Sequence, residues 1–242
     1  MEKQAFLVSV ICVTRNAASQ LPGLIDSVRK YKTAEVEFII IDGNSTDETV
    51  NCIKQNKDVI DFWLSEPDKG IYDAMNKAVG YAHGKWLYFI GADDILLDGF
   101  AEMLPRLEDD STVYYGGVIY HGKPLSKEFD NYTLAKSNIC HQAIFYPAAV
   151  FKKYSYDTKY VIWADFHLNI RCWADPEFKF EYHKLIVANY GQGGFSETAV
   201  DAVFEKEREG LIRKYLGAYA YWRFLNRQHG AWGMIKRIFK AA

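Results

Sequence analysis

Short apolar runs that stop abruptly at polar residues are the feature that most limits how this chain can fold. Phe6 to Val13 is a near-continuous apolar run that ends in Thr14-Arg15-Asn16. Val36 to Ile41 ends in Asp42-Gly43-Asn44-Ser45-Thr46-Asp47-Glu48-Thr49. Trp86 to Ile90 ends in Gly91-Ala92-Asp93-Asp94. Runs of this length, rich in β-branched and aromatic residues, read as strands covered on both faces. Between them Leu21, Leu24, Ile25 and Val28, and later Ala74, Met75, Ala78 and Val79, recur at helical spacing. A further helix is expected after Asp42, capped by Ser45 or Thr46, with Val50, Ile53 and Val59 inward. Asp61 to Ser65 reads as a short strand, and Glu66-Pro67-Asp68-Lys69-Gly70 as a turn.

Strands alternating with helices over residues 1–100 call for an α/β fold: a doubly wound, mostly parallel sheet with right-handed crossovers. In such a sheet the polar strand ends share one edge, and ligands bind there. Adjacent Asp93 and Asp94 repel each other at that edge, and a hard divalent cation would relieve the repulsion. Their bland alternative is a loop start with a helix cap.

Beyond Asp98 the signals weaken. A helix is expected over 100–107 and strands over 113–121 and 143–146, with Gly116-Gly117 marking a bulge or close backbone approach. Short helices are expected over 148–153 and from Trp163 to Trp173, and one or two strands over 178–189. The Gly-rich 191–196 stretch reads as a loop that could close over a ligand.

From Gly210 onward the chain holds no Asp or Glu. Arg213, Lys214, Arg223, Arg227, Lys236, Arg237 and Lys240 alternate there with aromatic residues. That is the composition of a basic amphipathic helix or helix pair, and peripheral contact with an anionic membrane surface is expected of 210–242. The alternative is a helix pair packed on the catalytic domain. We divide the chain into a catalytic domain, 1–209, with a nucleotide-binding half (1–100) and an acceptor-binding half (101–209), and the tail, 210–242.

Composition excludes several classes. A net charge of -2 gives no argument for nucleic acid. The four cysteines form no CxxC pair, so neither a zinc knuckle nor a redox motif is indicated, and a reducing, cytoplasmic setting is expected. No GxGxxG follows a strand, against a dinucleotide dehydrogenase. Thr14-Arg15-Asn16-Ala17-Ala18 is not the Gly-rich loop a nucleotidyltransferase would want after its first strand.

Taken together, Val8 to Asn16, Ile41 to Thr49 and Gly91 to Asp94 resemble the inverting family 2 glycosyltransferases in order and spacing. Ser65 to Lys77 resembles a bacterial branch of that family that builds cell-surface polysaccharides. The resemblance implies an A-type nucleotide-sugar transferase (GT-A) fold and a metal-dependent transfer. The sugar would come from a nucleoside diphosphate sugar, expected to be UDP-linked, and pass to a hydroxyl of a lipid-linked or growing surface glycan. It implies Thr14 against the nucleoside, with Arg15, Asn16 and Asn44 in the same loops, and Asp42 accepting a hydrogen bond from base or ribose. Asp68 and Lys69 would lie beside the base and diphosphate. Asp94 is the expected ligand of Mg²⁺ or Mn²⁺, and Asp93 a ribose or sugar contact that shares the metal site; Gly91 stands where the longer motif often has its first acid. The general base is expected at Asp165, with Asp157 and Asp175 weaker candidates, and donor or acceptor sugar contacts at His141, Gln142 and Trp163. Competing readings are a nucleotidyltransferase of related fold and a non-catalytic sugar- or partner-binding module.

Overall fold

The computed structural model describes residues 6–191 and 200–238, with side chains of the last helix described through Arg227. The Gly-rich stretch beyond Gly191 and most of the basic residues nearest the C-terminus lie outside the described residues. Its centre is one mixed sheet in the order β3-β2-β1-β4-β8-β6-β9-β5, with β7 on β6. The strands are β1 (Val8–Thr14), β2 (Val36–Asp42), β3 (Phe62–Ser65), β4 (Trp86–Gly91), β5 (Ile95–Leu96), β6 (Thr112–Tyr120), β7 (Lys123–Leu125), β8 (Ile144–Pro147) and β9 (Lys179–Asn189).

The first four strands are parallel, as the alternation requires. Register sets Thr14 opposite Asp42, Asp42 opposite Ser65, and Val13 opposite Gly91. The polar strand ends therefore form one row. Strand order reverses at β1, which has β2 on one side and β4 on the other, and the crevice opens at that switch. Helices α1 (Leu21–Tyr31), α2 (Thr49–Gln55) and α3 (Ile71–Val79) make the crossovers. Leu21, Leu24, Ile25 and Val28 of α1 and Ala74, Met75 and Ala78 of α3 are buried, the faces their spacing implied. Gly70 takes φ +124° just before α3, so the chain reverses there as only glycine does readily.

One local expectation is corrected. Ser45 and Thr46 do not cap α2. The Ser45 hydroxyl donates to Asp42 and accepts from the Asn16 amide, so it is committed to the loop pair beneath the crevice. Asp47 takes the terminal role, accepting from the Thr49 amide at 3.0 Å and its hydroxyl at 2.5 Å. These bonds hold its carboxyl below the usual range.

The second half is mixed rather than parallel. β8 is antiparallel to both β4 and β6, whereas β9 is parallel to β6. The β6–β9 register shifts around Gly117, the bulge expected there. A Cβ on Gly116 would lie 2.7 Å from the Leu185 carbonyl oxygen. Strands β5 and β7, two and three residues long, were not expected; neither is long enough to show a period.

Helices α4 (Asp98–Met103), α5 (Asn131–Lys136), α6 (Ala148–Lys153) and α7 (Ala164–Ala174) lie along this half, followed by α8 (Ala202–Tyr215) and α9 (Gly217–Ile238). The division expected at 209/210 falls inside α8. Phe204 and Ile212 of α8, Leu216 between the helices, and Phe224 and Leu225 of α9 are buried, so this helix pair packs on the sheet domain through an apolar face. Among the described residues no helix is long and apolar enough to cross a membrane.

Candidate active site

Two adjoining cavities of about 490 Å³ each open along the switch-point crevice. Both are of ordinary ligand size. They share Ile71, Tyr72 and Val161 as a common wall. Thr14, Arg15, Asn16, Asp68 and Lys69 line the first. Asp93, His141, Gln142, Trp163 and Asp165 line the second.

The first cavity is built by two interlocked loops. Asn16 and Asn44 both adopt left-handed backbone, with φ of 52° and 59°. Asn16 Oδ1 accepts from the Thr46 amide at 2.9 Å, tying the end of β1 to the loop after β2. Asp42 is fully buried beneath them, accepting from the Ser45 amide at 3.0 Å and the Ser65 hydroxyl at 2.6 Å. It lines neither cavity, and its hydrogen bonds go to the loops rather than outward. Asn44 is exposed and also lines neither. The Thr14 hydroxyl is buried without a hydrogen-bond partner, on the wall of the cavity. A buried orphan hydroxyl is costly unless something polar reaches it. Gly43 has no room for a side chain: a Cβ would sit 2.4 Å from Asp68 Oδ2 and 3.4 Å from Arg15 Cδ.

The two adjacent acids have different surroundings. Asp94 is 1% exposed. Its Oδ2 accepts from the Gly91 amide at 2.7 Å and from Gln142 Nε2 at 2.9 Å, and its Oδ1 accepts from the Gly191 amide at 2.7 Å. Burial raises its pKa, an effect these bonds oppose. Asp93 is half-buried and faces the second cavity. So the expected order, Asp94 toward the metal and Asp93 toward the sugar, does not match the arrangement. Asp94 braces the ends of β4 and β9, and Asp93 is the carboxylate that reaches the cavity.

The glycine at the motif's first position has the same origin. A Cβ on Gly91 would lie 2.8 Å from Asp93 Oδ1 and 2.9 Å from Asp94 Oδ2. Gln142 also departs from expectation. Its amide is held at both ends, donating to Asp94 and accepting from Cys140 Sγ at 2.8 Å. It braces Asp94 from the wall of the second cavity.

Asp165 sits in the first turn of α7, where the helix dipole favours a negative charge. It is not the cap residue; Trp163 holds that position. Asp165 Oδ1 accepts from the Phe166 amide at 2.8 Å and lies 3.1 Å from the Tyr72 hydroxyl. Its Oδ2 accepts from Asn138 Nδ2 at 2.8 Å and lies 3.5 Å from His141 Nδ1. Asn138 is held in turn by Asn169, and Asn169 by the Tyr146 hydroxyl. Trp163 both lines the cavity and packs on Phe166 and Phe204. Asp175 is tied to Lys153 at 2.7 Å and to Tyr154, and lines neither cavity. Asp157, the other weaker candidate, lies 3.6 Å from Lys159 and also lines neither.

Sequence reading missed Tyr72, Asn138 and Arg208 as site residues. Tyr72 stands beside Asp68-Lys69 in the chain, and Asn138 two residues before Cys140-His141-Gln142, so proximity to motifs was the available signal. Arg208, on α8, had none.

Among the described residues no group of three His, Cys, Asp or Glu side chains could enclose a metal ion. The residues nevertheless fit a Mg²⁺ or Mn²⁺ ion of the kind that keeps water and takes most remaining ligands from phosphate. Asp93 supplies a hard, cavity-facing oxygen donor, and one or two protein carboxylates suffice for such a site.

Comparison with known proteins identifies the family and the fold. The family model described as "Glycosyl transferase family 2" matches residues 9–169. A PGL/p-HBAD biosynthesis glycosyltransferase of Mycobacterium tuberculosis is 37% identical over 214 residues, covering 83% of each chain. An uncharacterized glycosyltransferase of Methanocaldococcus jannaschii is 28% identical over 204 residues, covering 76% of this chain and 70% of that one. S. aureus TarS 1–349 in complex with UDP-GlcNAc superposes with a TM-score of 0.71 at 17% identity, covering 93% of this chain and 73% of that one. Against a longer TarS chain the TM-score is 0.66 at 16% identity, with 87% of this chain covered and only 43% of the other. A Pyrobaculum calidifontis mannosyltransferase in complex with GDP-Man and Mn²⁺ gives 0.60 at 14% identity, covering 95% of this chain and 79% of that one.

Proposed function

The chain belongs to glycosyl transferase family 2, with a GT-A type fold, and we propose that it transfers a sugar, with inversion, from a nucleoside diphosphate sugar to an acceptor hydroxyl. One observation carries this reading: a cavity with Asp93 and Asp165 on its wall adjoins a second cavity lined by Thr14, Arg15 and Lys69. The nucleoside occupies the Thr14 cavity, where the orphan hydroxyl gains a partner. The diphosphate lies between Lys69 and Asp93. The sugar then sits in the second cavity, within reach of Asp165.

The acceptor hydroxyl attacks the anomeric carbon on the face opposite the diphosphate. Asp165 takes the hydroxyl proton as the new carbon–oxygen bond forms and the bond to the diphosphate breaks, with the electron pair leaving on the phosphate oxygen. The Phe166 amide, Asn138 and the Tyr72 hydroxyl hold Asp165 in place, which limits the reorganisation needed at the moment of transfer. Asp93 would hold Mg²⁺ or Mn²⁺, which when bound neutralises charge developing on the leaving diphosphate. Asp94, Gln142 and the Gly191 amide fix the backbone that carries Asp93.

UDP is the favoured nucleotide, since TarS neighbours bind UDP-GlcNAc or UDP; the mannosyltransferase neighbour binds GDP-Man with Mn²⁺. The acceptor reading, a lipid-linked or surface glycan, draws support from the relative in PGL biosynthesis. Peripheral membrane contact is proposed for α9. Its Tyr219 and Trp222 are 69% and 48% exposed and stack at 6.3 Å, beside basic Arg223 and Arg227. A thermal-shift panel of UDP, GDP and their sugars, with and without Mn²⁺, tests the donor reading. Stabilisation by a nucleoside diphosphate that grows with Mn²⁺ is expected. No shift with any of them would overturn it.

A further inference from the structure

The outer part of the Asp165 cavity carries features that sugar transfer alone does not use. Its rim is apolar. Ile71, Tyr120, Leu125 and Val161 line it and are 38%, 38%, 45% and 48% exposed. Large apolar side chains gathered on one rim, rather than scattered, mark a binding surface. Arg208 also lines this cavity. Its Nη2 donates to the carbonyls of Ala135 and Lys136 at 3.3 and 3.0 Å, closing the end of α5. Its guanidinium lies over the rings of Phe166 and Phe224, at 5.6 and 5.3 Å.

Charge at Arg208 is poorly balanced. Its Nε is buried without a hydrogen-bond partner. The acid paired with it, Glu205, stands 3.9 Å away with more than half its side chain in solvent. Burial works against the charged form, lowering its pKa. A cation held among aromatic faces and carbonyls is relieved by an anion that reaches it. Phe166, under Arg208, directly follows Asp165, so the cation is one side chain away from the proposed base.

We propose that Arg208 is an anion subsite for the acceptor, which is an amphiphile: an apolar chain on the Leu125–Val161 rim, a phosphate-type oxyanion at Arg208, and a hydroxyl presented to Asp165. This rests on reading the Asp165 cavity as the acceptor site. It adds the chemical class of the acceptor and a residue on α8 that selects it. It also makes the C-terminal helix pair part of the substrate site.

Calorimetric titration of the full chain with farnesyl phosphate, farnesol and inorganic phosphate tests the subsite. Farnesyl phosphate is expected to bind at least tenfold tighter than either of the others. Arg208→Gln should reduce it to the level of farnesol while leaving stabilisation by nucleoside diphosphates intact. Because Arg208 also closes α5, Leu125→Asp serves as a second variant on an exposed position; it should weaken farnesyl phosphate at least fivefold. Equal binding of farnesol and farnesyl phosphate, or an undiminished preference in Arg208→Gln, would overturn the anion subsite. Inorganic phosphate binding as tightly as farnesyl phosphate, or unchanged affinity in Leu125→Asp, would overturn the apolar half. Asp165→Asn keeps the cavity but removes the base. It should retain the ranking of the three probes while losing transfer, so a failed base assignment is distinguishable from a failed subsite.

Discussion

Gln142 Nε2 donates to Asp94 Oδ2 at 2.9 Å, and through that bond the turn before β8 fixes the carboxylate that ties the end of β4 to the residues just past β9. Asp93, next in the chain, is left facing the cavity. The pair is therefore divided between a buried brace, Asp94, and a carboxylate that lines the cavity, Asp93.

That division predicts different losses. Asp93→Asn should abolish the Mn²⁺-dependent part of nucleotide stabilisation and cut turnover about a hundredfold or more, with the melting temperature of the free protein little changed. Gln142→Leu leaves buried Asp94 short of one donor, at a cost of about 1–3 kcal/mol in stability. It should weaken Mn²⁺ indirectly while keeping a saturable metal response. Full Mn²⁺ response in Asp93→Asn, measured by metal titration of the melting temperature, would return the ligand role to Asp94.

Asp165 is expected to act on the acceptor and not on the donor. Asp165→Asn should lower transfer about a hundredfold or more, as for a lost general base, while nucleoside diphosphate affinity stays within about twofold. Asn138→Ala, which removes the 2.8 Å bond to Asp165, should give a smaller loss in the same direction. Transfer rates with saturating donor check both. Wild-type turnover in Asp165→Asn would move the base elsewhere.

Gly43→Ala probes the nucleotide side. The added Cβ would meet Asp68 Oδ2 at 2.4 Å, so Asp68 and the Asp68-Lys69 turn must shift. Donor KM should rise about tenfold with kcat changed much less, because Asp93 after β4 and Asp165 on α7 are untouched. Initial-rate kinetics separate the two parameters, and a loss confined to kcat would refute the placement.

The parallel half of the sheet and its crevice were legible because each element spans enough residues to show a period. Val8 to Thr14 and Trp86 to Gly91 are buried on both faces, and their apolar runs state this directly. Motif order located Thr14, Lys69 and Asp93 on the cavity walls because strand ends and the turns after them converge by topology, whereas Asp165, at the start of α7, was reached through the family resemblance. What stayed hidden depends on side-chain direction and distant contacts. No local pattern distinguishes Asp93 from Asp94, because two of the three donors to Asp94 come from Gln142 and Gly191, far along the chain. Asp42 reads as a ligand contact because a buried turn carboxylate and a base-binding one look alike in sequence. Arg208 reads as one cation among many until α8 is seen against α7.

Tyr219 and Trp222 give the membrane proposal a direct test. Both are exposed on α9, so replacing them with Ser should change stability by no more than about 0.5 kcal/mol. Sedimentation with anionic vesicles should fall markedly in the double variant, and wild-type binding should weaken as salt is raised, since each basic residue near the surface contributes roughly 1 kcal/mol that salt screens. Unchanged sedimentation of the double variant would leave α9 as packing alone.

His167 predicts how stability responds to acid. It lies on α7, 7% exposed, with its ring edge-on to Tyr160 at 5.0 Å and no partner for Nδ1. Burial, helped by Arg171 and Lys159 and opposed by Asp157 and Glu207, lowers its pKa from 6.5 to about 4. Because the folded value is the lower one, the unfolded chain takes up the proton first as pH falls. Stability is therefore full above pH 6.5 and is lost between there and about pH 4, by up to about 1.4 kcal/mol per pH unit. Asp94 works the other way: its raised pKa lets the folded state bind a proton earlier than the unfolded chain, which offsets part of the loss at the acid end. Comparing His167→Phe with wild type isolates the histidine, since both keep Asp94 and an aromatic edge on Tyr160. Urea unfolding at pH 7, 6 and 5 should show a slope shallower by close to one proton in the variant. Parallel slopes would mean that His167 titrates alike in both states and that its burial has no energetic consequence in this range.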